Sequence, residues 1–342
     1  FAGTFDGGNH TIHDLKISQT QGADYATGFF GVVKDGTVKN LKFENADINV
    51  EDSEMAAVAI GMLSGSSALA ENIEVISGSV TAGRGNAGIV GRMTKSGTIR
   101  NCINRADITG LSSGGNTGGI VGAAYYTETG QTMAIENCSN YGSIKGIYGV
   151  GGIAGLCAAN VTGCTNEGEV YGAGASIGGI VAEQQNAGNI RNCENRGKVT
   201  NNSTAYGTGG IVGWVRYSGA TGSYPAKNII EVSGNKNYAA VDGGNDAGGI
   251  VGTVYNYGEI TDNENYAPSL DGATFVAGIV GNAQFMEDPA GMDDPDMVNV
   301  KGNLSTTPLS AMTGGSCKDE FVYINEQDAV TEEDNTYSPA GE

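Results

Sequence analysis

Gly210-Ile211-Val212-Gly213 is one copy of a tetrad that recurs along the whole 342-residue chain. In most copies two apolar residues stand between two small ones. The copies are, in order, Gly28-Phe29-Phe30-Gly31, Val58-Ala59-Ile60-Gly61, Gly88-Ile89-Val90-Gly91, Gly119-Ile120-Val121-Gly122, Gly152-Ile153-Ala154-Gly155, Gly179-Ile180-Val181-Ala182, Gly210-Ile211-Val212-Gly213, Gly249-Ile250-Val251-Gly252 and Gly278-Ile279-Val280-Gly281. Their closing residues lie 30, 30, 31, 33, 27, 31, 39 and 29 residues apart. Such a period predicts one elongated body in which each coil contacts only its neighbours.

A second landmark follows each tetrad, and one of its columns predicts a bend between strands. Only Asn, Gly and Asp occupy this column: Asn40, Asn72, Asn101, Asn137, Gly163, Asn192, Gly234, Asp262 and Gly302. These residues tolerate a left-handed backbone. We therefore expect a sharp turn of the chain at this position in every coil.

Two neighbouring columns are predicted to face the interior. The residue after the bend changes in blocks, from apolar side chains to thiols to amides: Leu41, Ile73, Cys102, Cys138, Cys164, Cys193, Asn235, Asn263 and Asn303. Block changes of this kind indicate side chains stacked directly above one another. Two residues further on, a column of asparagines predicts a ladder of side-chain amides bonded from coil to coil: Asn104, Asn140, Asn166, Asn195, Asn237 and Asn265.

These columns predict an all-β fold, a single-stranded parallel β-helix or β-solenoid. About nine coils of roughly 30 residues are expected, each with three short strands and three bends. The strand-crossover rule favours right-handed winding. We assign residues 1–305 to the solenoid, 306–325 to a C-terminal cap or linker, and 326–342 to an acidic tail.

Composition restricts the partners. The net charge of −20 opposes binding to nucleic acid or to an anionic membrane surface. The longest apolar run, Ala56 to Leu63, is far shorter than the roughly 20 residues that span a bilayer.

The chain has no signal peptide or initiator Met, and Phe1 already lies within a repeat. We interpret it as a fragment whose targeting and anchoring segments lie elsewhere.

The tetrads, together with the opening Gly3-Thr4-Phe5-Asp6-Gly7-Gly8-Asn9-His10-Thr11-Ile12, resemble the GLUG repeat family. The resemblance covers about residues 1–305, and Gly8-Asn9 stands where the family more often has Asn-Gly. It implies a secreted or surface-attached bacterial protein. Such repeats occur in adhesin-like proteins and in non-catalytic parts of immunoglobulin A-cleaving metallopeptidases. The repeat carries no catalytic residues in the family, so the resemblance transfers none.

Four of the six cysteines share the interior column: Cys102, Cys138, Cys164 and Cys193. Adjacent coils place their Cα atoms about 4.8 Å apart, which permits a disulfide on distance alone. However, side chains in one parallel stack point the same way instead of towards each other. We therefore favour a reduced ladder in which cysteine acts as a small apolar residue.

The polar residues argue against catalysis. His10 and His13 are the only histidines, which excludes H-E-x-x-H and zinc sites built mainly from imidazole. Polysaccharide lyases and polygalacturonases are also parallel β-helices, so a carbohydrate-active enzyme is the alternative. One dense acidic cluster offers oxygen ligands for Ca²⁺, although a solvated loop is the favoured interpretation: Glu287, Asp288, Asp293, Asp294 and Asp296. No cofactor is expected.

Insertions mark a candidate binding edge. The segment from the tetrad to the residue after the bend is 9 to 12 residues in most coils, but 16 after Gly122 and 22 after Gly213 and Gly281. Insertions in a solenoid collect on one face, often the binding face. The three insertions, their flanks and the uninserted coil between the last two are rich in aromatic residues: Tyr125, Tyr126, Trp214, Tyr217, Tyr224, Tyr255, Tyr257 and Phe285. These rings either bind a ligand or fold the loops onto the outer strand.

The function expected from these features is that of a non-catalytic module, secreted or attached to a bacterial cell surface. It is predicted to be monomeric and to act either as an adhesin-like recognition surface for a host glycan or surface protein, or as a passive stalk.

Overall fold

The computed structural model describes residues 1–18, 26–113, 115–125, 132–185, 188–216, 229–255, 257–284, 298–315, 317–324 and 330–339. They form four parallel sheets, and the chain visits sheet 1, 2, 3 and 4 in that order in each coil. The predicted all-β solenoid of about nine coils is confirmed. Each coil contributes strands to four sheets, whereas three strands per coil were predicted. The additional strand, in sheet 3, was not predicted because the sheet 3 strands are two or three residues long, too short to show an alternating pattern.

Sheet 1 carries the bend column and both interior columns. In the first three coils each strand is continuous, and from the fourth coil on the bend divides it into two short strands. The strands are Thr4–His13, Thr37–Glu44, Leu69–Val75, Gly97–Arg100, Ile103–Asn104, Met133–Glu136, Ser139–Asn140, Asn160–Thr162, Thr165–Asn166, Ile190–Arg191, Glu194–Asn195, Ile230–Ser233, Lys236–Asn237, Gly258–Thr261, Glu264–Asn265, Val298–Lys301, Leu304–Ser305, Val330–Glu333 and Thr336–Tyr337.

The other three sheets have ten strands each within the described residues. Sheet 2 comprises Lys16–Ser18, Ala46–Val50, Gly78–Ala82, Asp107–Gly110, Ile144–Gly146, Val170–Gly172, Val199–Asn201, Val241–Gly243, Leu270–Asp271 and Met312–Thr313. Sheet 3 comprises Ala26–Thr27, Met55–Ala57, Asn86–Ala87, Thr117–Gly118, Val150–Gly151, Ile177–Gly178, Thr208–Gly209, Asp246–Gly248, Phe275–Ala277 and Cys317–Asp319. Sheet 4 comprises Phe30–Lys34, Ile60–Ser64, Val90–Thr94, Val121–Tyr125, Ala154–Cys157, Val181–Gln185, Val212–Arg216, Val251–Tyr255, Val280–Gln284 and Val322–Ile324.

The bend column has the predicted left-handed backbone in all nine coils. Its φ angles lie between 52° and 67°, from Asn72 and Asn137 at the low end to Gly302 at the high end. Because only residues that accept positive φ fit here, the composition of this column follows from local geometry.

The predicted asparagine ladder is present in the interior. Each Nδ2 donates to the Oδ1 of the next coil, at 2.8 Å from Asn104 to Asn140 and from Asn140 to Asn166, and at 2.9 to 3.3 Å through Asn195, Asn237 and Asn265. The last amide donates to the Thr307 hydroxyl at 2.9 Å. Most of these amides also donate to the backbone carbonyl two residues ahead, so the ladder closes the local turn as well as joining the coils.

A second amide ladder continues the cysteine column. Asn235 donates to Asn263 and Asn263 to Asn303, both at 3.0 Å, and Asn303 donates to Asn335 at 3.1 Å. The sequence showed amides in this column without indicating that they bond to one another. Asn335 extends the column by one coil.

The glycines of the tetrad are required by close approaches. A Cβ on the first glycine, Gly119, would lie 2.4 Å from Cγ of Asn140 in the ladder, and a Cβ on the last, Gly122, would lie 2.4 Å from the Asn86 nitrogen in the preceding coil. Both separations are shorter than any ordinary contact. The small residues of the tetrad therefore let the chain enter sheet 4 in close contact with the asparagine ladder at its first residue and with sheet 3 of the preceding coil at its last residue.

Parallel pairing continues beyond residue 305. Strands at Met312–Thr313, Cys317–Asp319 and Val322–Ile324 pair with sheets 2, 3 and 4 of the previous coil, around a short 3₁₀ turn at Leu309–Ala311. Val330–Glu333 and Thr336–Tyr337 then pair with sheet 1, inside the segment that composition assigned to an acidic tail. Exposed acidic side chains on an end strand explain why this strand resembled a tail.

Candidate functional site

The three long insertions leave the solenoid at one edge. Each connects the end of a sheet 4 strand to the start of a sheet 1 strand: 121–125 to 133–136, 212–216 to 230–233, and 280–284 to 298–301. Their central residues, 126–131, 217–228 and 285–297, lie outside the described residues, as do Tyr126, Tyr217, Tyr224, Phe285 and the acidic cluster at 287–296.

Sheet 4 presents two outward columns of side chains beside this edge. The first includes Arg92, Leu156, Glu183 and Trp214, and the second includes Tyr125, Gln185, Arg216 and Tyr255. The residues between them point inward and are buried, Val215 and Val254 among them. Alternation along each strand thus brings residues from separate coils onto one surface.

The predicted aromatic residues described on this face, Tyr125, Trp214 and Tyr255, are half-buried and pack against arginine side chains or against each other. The rings of Trp214 and Tyr255 meet edge to face with centroids 5.8 Å apart, and the Arg216 guanidinium lies 5.1 Å from the Trp214 centroid. Near the other end of the face, Arg92 lies 5.3 Å from the centroid of Tyr125. Tyr257, in contrast, is only 5% exposed and packs in the core.

An open cleft of about 320 Å³ lies between these two stacked groups. Its floor is the outer face of sheet 4, and its opposite wall comes from residues that precede sheet 3 strands. The lining side chains are Arg84, Ser113, Asn116, Tyr148, Leu156, Glu183, Gln185 and Arg216. Of the predicted site residues that the structure describes, none lines this cleft, although Trp214 and Tyr255 lie next to Arg216.

Glu183 is a charged side chain at the bottom of the cleft, with 3% of its side chain exposed. The Tyr148 hydroxyl donates to its Oε2 at 3.2 Å, Gln185 Nε2 donates to its Oε1 at 2.6 Å, and Arg216 Nη1 lies 3.6 Å from Oε1. Burial, together with the nearby Glu183 carboxylate, raises the pKa of Tyr148, so its hydroxyl stays protonated and able to donate. Both side-chain oxygens of Glu183 therefore have polar partners.

Two coils further on, Asp246 is a second buried carboxyl group against the same face. Its Oδ2 accepts hydrogen bonds from the Thr253 hydroxyl at 2.7 Å and from the Asn282 amide at 3.1 Å. Burial raises the pKa of Asp246, and the two hydrogen bonds oppose that shift. Polar side chains therefore continue past the cleft along the junction of sheets 3 and 4.

A separate row of rings and guanidinium groups lies between sheets 1 and 2, where no site was predicted. Arg105 lies 4.1 Å from the Tyr141 centroid, Arg196 lies 4.4 Å from that of Tyr238, and the rings of Tyr238 and Tyr266 stack at 5.1 Å. Each of these residues directly follows a ladder asparagine. The sequence therefore contained a signal for this row, because arginine and tyrosine recur at the position directly after the ladder asparagine.

Five cysteines are buried and free: Cys102, Cys138, Cys164 and Cys193 in the interior column, and Cys157 on sheet 4. Burial raises the pKa of Cys157 to about 12 and those of Cys138 and Cys193 well above the ordinary value. Hydrogen bonds with Cys138 and Cys193 lower the pKa of Cys164 in the same column. Because all five side chains are enclosed in the core, we interpret them as packing groups.

The described part of the chain contains no group of three or more His, Cys, Asp or Glu side chains placed to hold a metal ion. No helix within it has the length and apolarity to cross a membrane.

The stacked sheets, the tetrad and the ladders define the class of protein, a parallel β-solenoid of repeated coils. The family model for the GLUG motif matches residues 173–200, which contain one tetrad and one bend column residue, Asn192. The same landmarks recur in the same order in the other coils. The chain is therefore a β-solenoid that contains a GLUG motif at residues 173–200.

Among solved structures, the chain is similar to the crystal structure of a candidate immunoglobulin A1 protease from Bacteroides ovatus. The two are 18% identical, the match covers 93% of this chain and 68% of the other, and the TM-score is 0.34. A search of curated proteins found no match.

Proposed function

We propose that this solenoid is a non-catalytic recognition module of a secreted or surface-attached bacterial protein, and that it binds a host glycan or surface protein on the outer face of sheet 4. The observation that carries the proposal is the stacked group of Trp214, Tyr255 and Arg216, which stands beside the edge where the insertions leave the coil. Aromatic rings and arginine are the residues most enriched among binding anchors.

The electrostatics of the face support a specific ligand. The chain has a net charge of −20, yet among the described residues Arg92 and Arg216 on sheet 4 and Arg84 before a sheet 3 strand pair with two carboxylates, Glu54 and Glu183. These paired groups therefore contain more positive than negative side chains. A host glycan, unlike nucleic acid or a membrane, needs no strongly basic surface. We expect the module to act as a monomer.

An array of host glycans and surface proteins, probed with the whole chain, tests the proposal. Trp214→Ala and Tyr255→Ala should each weaken binding of a hit by about 1 to 4 kcal/mol while leaving the melting temperature nearly unchanged. Tyr238→Ala is the matched control, because that ring also packs beneath an arginine but lies between sheets 1 and 2.

Two results would contradict recognition by this face. If the Trp214 and Tyr255 variants lower the melting temperature and leave binding unchanged, the rings pack the adjoining loops onto the outer strand. If no ligand binds at all, the module is better described as a passive spacer that holds other domains away from the cell surface.

A carbohydrate-active enzyme is the second candidate, and the arrangement in the cleft favours it over other activities. A buried carboxylate, a tyrosine hydroxyl 3.2 Å away and an arginine 3.6 Å away are groups that can exchange protons and hold a negative charge. Reducing-end and unsaturated-product assays on pectins, glycosaminoglycans and mucins, with and without Ca²⁺, address it. Turnover that Glu183→Gln abolishes would replace the non-catalytic proposal.

A further inference from the structure

Asp246 and Asn282 bring a carboxyl group and an amide together in the interior, between two neighbouring coils. Asp246 begins the sheet 3 strand Asp246–Gly248, and Asn282 lies in the sheet 4 strand Val280–Gln284 of the next coil. Both side chains are fully buried, and Asn282 Nδ2 donates to Asp246 Oδ2 at 3.1 Å. The same Oδ2 accepts a second hydrogen bond, from the Thr253 hydroxyl at 2.7 Å.

The other oxygen of each group has no donor. Asp246 Oδ1 and Asn282 Oδ1 are both buried, and neither has a hydrogen-bond partner among the described residues. An ionised carboxylate can only accept hydrogen bonds, and so can the oxygen of an amide. With Asp246 charged, the interior would therefore contain two unpaired acceptors, one of them carrying negative charge, and burial makes such an arrangement costly.

A proton on Asp246 supplies the missing donor. We propose that Asp246 is protonated in the folded chain and donates from Oδ1 to Asn282 Oδ1, so that the acid and the amide form a pair with two hydrogen bonds that joins the coils and is lost as the pH rises. The acid then donates one bond to the amide and accepts the other from it. Such a joint is independent of what the outer face of sheet 4 binds.

Close backbone packing holds the two groups side by side. Gly281 precedes Asn282, and Ala247 follows Asp246. A Cβ on Gly281 would lie 2.7 Å from the Ala247 carbonyl oxygen, so the two strands are in direct contact at this point. This contact and the observed hydrogen bond keep the acid beside the amide, which is the arrangement that a second bond between them requires.

The surroundings favour the neutral form of the acid. Burial raises the pKa of Asp246, and the hydrogen bonds from Thr253 and Asn282 oppose that shift without cancelling it. Since burial disfavours the charged form, a nearby cation would be needed to keep the carboxyl group ionised.

No described cation is placed to do so. The strands that pack against Asp246–Gly248 carry three other ionisable side chains, and all three are acids: Asp242, Tyr255 and Asp271. Asp242 pairs with Lys198 at 2.8 Å, Tyr255 stacks on Trp214, and Asp271 Oδ1 lies next to Gly314. No charged side chain contributes to the pKa shift of Asp246.

The sign of the pH dependence follows from the number of protons bound. In the unfolded chain Asp246 has an ordinary pKa of about 4, whereas in the folded chain its pKa is raised. Between these two values the folded chain binds more protons than the unfolded chain. The stability that the pair contributes is therefore complete below about pH 4 and is lost as the pH rises through the folded pKa.

The joint lies at the edge where insertions leave the solenoid. The third insertion follows Val280–Gln284, the strand that contains Asn282, and Tyr255 ends the sheet 4 strand that contains Thr253. The pair thus connects the coil of the last insertion to the coil of Tyr255, and its loss would weaken the contact between them.

Asp246→Asn tests the pair, because an amide here keeps an N–H donor in place of the acid proton and cannot ionise. Melting temperatures of the whole chain are compared between about pH 4 and about pH 8. The variant should melt within about 1 °C of the unaltered chain at the lower pH and about 2 to 5 °C above it at the higher pH. Asp242→Asn is the matched control, since it removes a partly exposed carboxylate of the same coil and should give no such gain.

Carbon-13 NMR of the side-chain carboxyl groups provides a second measurement. The resonance that disappears in Asp246→Asn should titrate at higher pH than the one that disappears in Asp242→Asn. If the two titrate together, or if the melting temperatures of Asp246→Asn and the unaltered chain agree at every pH, then Asp246 is ionised and the proposal is wrong.

A lower melting temperature of Asp246→Asn would also overturn the pair. If it appears at about pH 4, the new N–H has no acceptor, so Asn282 Oδ1 does not receive the acid proton. If it persists across the whole pH range, the fold needs the negative charge, as it would for a bound cation. Binding of a glycan or protein through Trp214 and Tyr255 is measured separately, so the proposed function stands or falls on its own.

Discussion

Single residues in this molecule are constrained mainly by the space between coils. From the third to the eighth tetrad the first glycine abuts a ladder side chain, for example Asn140 at Gly119 and Asn237 at Gly210, at distances that exclude any Cβ. The constraint is steric, because these glycines do not have positive φ. In the bend column the constraint is conformational instead, and asparagine or aspartate satisfies it as well as glycine does.

Gly119→Ala is expected to destabilise the fold by about 3 kcal/mol or more, since its Cβ would lie 2.3 Å from the Gly152 carbonyl oxygen. Gly97→Ala is the control. That glycine is also buried, but an added Cβ would be 3.4 Å from its nearest atom, so the change should cost less than about 1 kcal/mol. Denaturant unfolding measures both. Equal midpoints for the two variants would show that the tetrad glycines are not sterically required.

At the level of elements, ladders hold the coils in register. The strands of sheet 1 are short, so each contributes few backbone hydrogen bonds, and the side-chain amides add one bond per coil in the interior. A buried amide that loses its partner is left unsatisfied away from water, which costs about 1 to 3 kcal/mol. The ladder therefore favours one register between neighbouring coils over slipped alternatives.

Asn166→Ala should interrupt the ladder at its middle. Asn140 loses its acceptor, Asn195 loses its donor, and the Gly168 carbonyl loses the amide that binds it, so the expected loss of stability is about 3 kcal/mol or more. Asn202→Ala, at an exposed site in the next coil, should change stability by less than about 0.5 kcal/mol. Thermal and denaturant unfolding compare the two variants. A small effect at Asn166 would mean that water or backbone groups replace the amide.

On the scale of the whole molecule, stability accumulates from interfaces between adjacent coils. The final described strands cover the coil that ends near residue 305. Thr307 accepts the last bond of the first ladder, and Asn335 accepts the last bond of the second. Residues beyond 305 therefore complete both ladders and cover an otherwise open edge of the sheets.

Removing residues 306–342 should lower the melting temperature by on the order of 5 °C and promote self-association, because the exposed coil presents unpaired strands. Removing only 340–342 is the control and should have no effect. Light scattering and thermal melting of the two truncated chains measure both properties. A stable monomer of residues 1–305 would instead support the solenoid boundary predicted from composition.

The sequence by itself determined the repeat, the bend column, the asparagine ladder and the edge where insertions emerge. Each of these is a property of position within one coil, and stacking repeats it, so the period alone reveals it. Only the tertiary structure decided where the cleft lies. Arg84, Tyr148, Glu183 and Arg216 belong to four different coils, and all four line the cleft beside sheets 3 and 4. No spacing in the sequence predicts that they line one cleft, because this depends on how neighbouring coils stack.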